Sequence, residues 1–145
     1  MSDSLGNARE RRVGLRTAMG EVEASLASPA TGRKGPWLRA VREDMQTLSA
    51  ALELHISTTE APGGLLDDIA ATAPDLADRV KQTRLDHERL GYRLHEALQA
   101  ISAPEVDVAD VRARVVELLA AIVHHRHEGA DLVYEAFDVD IDSAD

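Results

Sequence analysis

The chain contains no cysteine. That absence excludes disulfide frameworks, thiolate metal sites and cysteine nucleophiles. Aromatic residues are almost as scarce, with one Trp, one Phe and two Tyr among 145 residues. A core must therefore be assembled from Leu, Val, Ile and Ala, which favours helices over sheets. No stretch approaches the roughly 20 apolar residues that span a bilayer. The polar start, Met1 to Arg12, has no apolar run behind it, which reads as a cytosolic chain without an export signal. Positive charge is also in deficit: 16 Lys and Arg against 26 Asp and Glu give a formal charge of -10. Such a balance repels nucleic acid and anionic lipid, so neither is expected as a partner.

Apolar residues nonetheless make up 44% of the sequence, enough for a folded core. Punctuation divides them into four long segments. Pro29 and Gly32 to Pro36 form the first break, Pro62-Gly63-Gly64 the second, and Ala103-Pro104 the third. The expected helices cover about 5–27, 36–60, 74–101 and 107–137, with 65–71, room for one or two helical turns, read as a connector. Leu15, Met19, Val22 and Leu26 mark the first, whose charged N-terminal part is expected to fray. Leu38, Val41, Met45, Leu48 and Leu52 mark the second, behind Pro36 in its opening turn. Val80, Leu90, Leu94, Leu98 and Ile101 lie along the third. Asp107 is a suitable N-cap for the fourth, which carries Val115, Leu118, Leu119 and Ile122.

No segment alternates with a period of two, and no tight hairpin signal occurs. Helices of about 22 to 30 residues, at 1.5 Å per residue, can bury one another only side by side. The expected architecture is all-α: a single domain over 1–137, an up-down-up-down antiparallel four-helix bundle. The acidic stretch Asp138 to Asp145 is expected to be solvated and loose.

Six histidines occur, at 55, 87, 95, 124, 125 and 127, and none precedes His55. Extending the second stripe by one step from Leu52 reaches His55, and the third stripe passes through His87. In the fourth helix three imidazoles occupy most of a turn, and the helical period does not choose among them. His124 with Glu128 and His127 with Asp131 have the i, i+4 spacing of one helical face. A lone core histidine is ordinarily a hydrogen-bonded structural residue. Three helices whose apolar stripes each turn to histidine, with carboxylates nearby, suggest instead the N/O ligand set of iron, manganese or zinc.

The arrangement resembles the hemerythrin-like, or HHE cation-binding, family. The resemblance rests on His55-Ile-Ser-Thr-Thr-Glu60, on Asp86-His87-Glu88-Arg89-Leu90, and on His124 through Glu128 followed by Leu132-Val133-Tyr134. It implies a bundle holding non-haem iron, one or two ions, that binds or senses dioxygen, peroxide or a related oxidant. The metal residues it implies are His55 and Glu60, His87, and His124 with Glu128, or His127 with Asp131 in the alternative register. The first helix offers no histidine, only Glu21 or Glu23; Gly91 stands where the third helix of the family has its second histidine; and Glu60 lies five residues after His55. The competing expectation is a metal-free interaction or regulatory bundle. A binding protein is expected rather than an enzyme, and a homodimer is compatible with either reading.

Overall fold

A computed structural model of the chain describes residues 2–142. They form α1 (Ser2–Ala27), α2 (Lys34–Glu60), α3 (Leu65–Thr72), a 3-10 turn (Pro74–Leu76), α4 (Ala77–Ile101) and α5 (Val108–Phe137). No strand occurs among the described residues. The four long helices make a helical bundle whose main core joins Leu15, Val22, Val41, Leu48, Leu52, Leu94, Leu118 and Ile122. These are the stripe positions, brought inward because burying them removes apolar area worth about 25 cal/mol per Å² from water. Trp37 fills the end of this core at 1% exposure, with the Arg112 guanidinium 5.2 Å from its ring centre.

Local chemistry sets the helix ends. Asp107 accepts hydrogen bonds from the backbone N–H of Ala109 and Asp110, as its N-cap position requires. α5 stops at Asp138, a left-handed residue whose N–H returns to Tyr134 O. After α2 the chain reverses at Gly63, with φ of 72°. At Gly64 an added Cβ would lie 2.8 Å from the carbonyl oxygens of both Ala61 and Thr58. Only glycine fits that approach, and the resulting reversal folds α3 back against the bundle.

The structure corrects three expectations. The 65–71 segment takes up its two helical turns but is no mere connector, since its Leu65, Leu66 and Ile69 are buried in a second apolar cluster. The N-terminal part of α1 does not fray: Leu5 and Ala8 belong to that cluster, and Ser4 donates to the Asp68 carboxylate of α3. The acidic stretch is docked, since Ile141 is 2% exposed within the same cluster and Arg9 Nε donates to its carbonyl. An apolar residue among the acids supplies the anchoring that charge alone would not. Ser143 to Asp145 of the expected tail lie outside the described residues.

Candidate metal centre

Each long helix contributes one buried polar residue to a shared layer beside a small cavity. On α1, Arg12 lies between Ala8 and Leu15; on α2, His55 follows Leu52. On α4, His87 lies between Val80 and Leu90, and on α5, His125 between Ile122 and Leu132. All four are at most 5% exposed. They form a polar layer between two apolar clusters.

Within this layer the three imidazoles converge. His55 Nε2 stands 3.3 Å from His125 Nε2. Ring centroids are 5.6 Å apart for His55 and His87, 5.5 Å for His55 and His125, and 4.8 Å for His87 and His125. One nitrogen from each ring lies within 4.8 Å of the others. The rings border a cavity of about 30 Å³, roofed by Leu65, Leu66 and Ile69 of α3 and walled by Arg12 and Ile141. That space suits one or two water-sized groups.

The carboxylates stand behind the rings rather than among them. Glu60 Oε2 is 2.9 Å from His87 Nδ1, which makes Nδ1 the protonated nitrogen and leaves Nε2 its lone pair. Glu60 is itself fixed by Arg84, at 3.4 Å. Asp86 Oδ2 is 3.9 Å from His125 Nδ1, within ion-pair range and beyond a hydrogen bond. The Nδ1 atoms of His55 and His125 are buried and find no hydrogen-bond partner among the described residues.

Burial keeps these rings neutral. It pushes the His55 pKa from 6.5 down to about 3, with His125, His87 and Arg12 adding to the shift. Burial also takes His125 down to about 4, helped by His87 and opposed by Asp86. His87 is lowered by burial against the pull of Glu60. Neutral imidazole is the form that ligates, so proton competition at neutral pH is removed.

Two nitrogens at about 2.0–2.1 Å from a tetrahedral centre stand about 3.3–3.4 Å apart, the spacing of the His55–His125 pair. A hydrogen bond between those nitrogens satisfies one of the two only as a donor, and each ring still strands its Nδ1. With Nε2 given to a cation, both Nδ1 atoms become donors, and His125 has Asp86 within a small movement. The His55–His125 spacing is that of two ligands on one ion, and His87 brings a third nitrogen within 4.8 Å of them.

Of the residues anticipated from sequence, His55 and His87 enter the cluster, and Glu60 stands beside His87. His124 does not: its side chain is 74% exposed and pairs with Glu128 at 3.8 Å on the outer face of α5. His127 and Asp131 are also exposed. The i, i+4 carboxylate spacing belongs to the solvated face, where such pairs ordinarily stabilise a helix. The α5 member of the cluster is His125, and the α1 member of the layer is Arg12, neither of which the resemblance assigned. Both continue their stripes: steps of four and three from Val111 through Val115, Leu118 and Ile122 reach His125, and one step of three back from Leu15 reaches Arg12. Searches among known protein families, the curated proteins and solved structures found no match to this chain.

Proposed function

We propose that the protein is a metal-binding helical bundle that holds a single divalent ion on His55, His87 and His125 and presents it to a small oxidant. The observation that carries this reading is the convergence of three buried, neutral imidazoles on one small cavity, with the carboxylate of Glu60 held on the far nitrogen of His87. Three neutral nitrogens suit iron or zinc. The resemblance to hemerythrin-like proteins favours non-haem iron, in a one-ion variant of that arrangement, working in the cytosol.

The proposed arrangement of the helices is up-down-up-down and antiparallel. Supporting it, Arg112 near the start of α5 donates to the carbonyls of Leu26 and Ser28 at the end of α1, and Arg42 of α2 donates to Ile101 O at the end of α4. The other end of the bundle carries α3 and the segment around Ile141 that follows α5.

A bound ion would supply an open coordination position for a small oxidant. The chain's own contributions are separate. α3 covers part of the cavity with apolar side chains, Glu60 fixes the tautomer of His87, and the surrounding apolar residues lower the local dielectric. Arg12 favours the metal-free alternative, because a guanidinium in the same layer opposes a cation. Metal content of protein produced with iron, and its absorption spectrum under air and after reduction, decide between them. About one equivalent of iron with an air-dependent absorption band is expected. Metal well below one equivalent with iron or zinc supplied overturns the proposal.

A further inference from the structure

Although the formal charge is -10, several cationic side chains share one groove. Arg12, Arg16, Arg126 and His127 border a groove of about 350 Å³ between α1 and α5, with Glu23 as the one acidic side chain there besides Asp142. The chain places its own carboxylate in that groove. Arg12 Nε and Nη2 donate to the two oxygens of Asp142 at 2.8 Å each, a bidentate fork. Arg126 Nη2 stands 4.0 Å from the same carboxylate. The Arg12 side chain is 6% exposed while that of Asp142 is 47% exposed. The receptor is therefore built in, and its occupant is accessible from solvent.

The segment that delivers Asp142 is also a wall of the histidine cavity. Ile141 and Arg12 both line it. Residues 139–142 act as a strap, held by Arg9 on the carbonyls of Asp140 and Ile141, by the buried Ile141 side chain, and by the Arg12–Asp142 pair. Hydrogen bonding to Arg12 holds the Asp142 carboxyl below its ordinary pKa, with Arg126 and Arg16 adding to the effect, so the carboxylate is charged at neutral pH.

We propose that this arginine groove is an oxyanion site which the chain fills with its own Asp142, so that a free phosphate or carboxylate displaces the strap and opens the histidine cavity. The guanidinium fork matches either anion. Asp142 is half exposed, so a dissolved anion can reach the fork and compete with the tether. The inference needs no metal and stands apart from the metal reading.

The test uses the full, metal-free chain at fixed ionic strength set with sodium chloride, with inorganic phosphate and acetate as probes. Asp142→Asn keeps the shape of the side chain and removes its charge. Calorimetric titration is expected to show at least one probe binding this variant about tenfold more tightly than the parent, the gain expected when a tethered competitor is removed. Arg16→Gln, at an exposed position, weakens the same binding without touching the Arg12–Asp142 fork. Carbethoxylation of His55, His87 and His125, read by mass spectrometry against exposed His124, rises in the parent when the probe is added and is already high in Asp142→Asn. The stronger probe identifies phosphate or carboxylate as the natural class. Equal affinity of parent and variant for both probes, or unchanged labelling of the three buried histidines, overturns the proposal.

Discussion

Replacing His55 and His125 together by leucine is expected to stabilise the metal-free protein. Both side chains are at most 5% exposed, and each strands a buried Nδ1. An unsatisfied buried polar group costs about 1–3 kcal/mol, whereas the Nε2 to Nε2 hydrogen bond lost with the pair contributes about 0.5–1.5 kcal/mol. The balance favours the double variant by about 2–4 kcal/mol, before any gain from apolar transfer. The cavity beside the rings, about 30 Å³, lets the branched side chains settle without overpacking. Urea unfolding followed by circular dichroism reads this as a midpoint raised by about 1–2 M at unchanged slope. Iron(II) or zinc at a hundredfold excess over its dissociation constant should then add about 2.7 kcal/mol to the parent and nothing to the variant. A metal-free variant less stable than the parent would refute the reasoning, because it would make these imidazoles structural members of the core.

Acid should destabilise the metal-free chain. The folded pKa values of His55 and His125, about 3 and about 4, lie below the 6.5 of the unfolded chain, so the unfolded state takes up more protons between those limits. Stability is therefore complete above pH 7 and falls as the pH drops from 6.5 towards 4, by about 2 kcal/mol per histidine at pH 5, in urea titrations at pH 7.5 and 5.0. The His55→Leu/His125→Leu variant should lose most of that slope. Ile69→Ala, at a position 1% exposed on α3, should cost about 2–4 kcal/mol and speed carbethoxylation of the three buried histidines, a result that a passive connector would not give. Gly64→Ala should destabilise through its 2.8 Å contacts with two carbonyls, read as a lower thermal midpoint, while Asp107→Ala should lose about 1 kcal/mol of cap energy.

The helices were legible because apolar periodicity and Pro/Gly punctuation are local signals. Val41, Met45, Leu48 and Leu52 lie in the core as their spacing indicates, and the same spacing carried to His55 and His87 reached two members of the cluster. The fourth helix misled because its apolar arc is wide. Carboxylate neighbours of His124 and His127 look like ligand pairs in one dimension, yet they form solvent-facing pairs once the stripe through Ile122 turns His125 inward. Arg12 continues the Leu15 stripe, but an arginine there reads as a solvent-facing charge. Its burial depends on Asp142, 130 residues away, a pairing that no local pattern contains. The role of α3 was hidden for a similar reason. Eight residues are too few for a periodicity argument, and their packing follows from the reversal at Gly63 and Gly64.

The polar layer divides the apolar interior, and a divided interior has a consequence for motion. The main core holds Leu15 to Leu26, Trp37 to Leu52 and their partners on α4 and α5, while the second cluster is assembled from Leu5, Ala8, α3 and Ile141. Few apolar contacts bridge a seam of imidazoles and a guanidinium, so the two parts should behave as separate cooperative units in hydrogen exchange, the α3 end opening below the global free energy. Anything that joins His55, His87 and His125 spans that seam and fuses the units. The histidine layer is thus a place where occupancy can be converted into the rigidity of one end of the molecule.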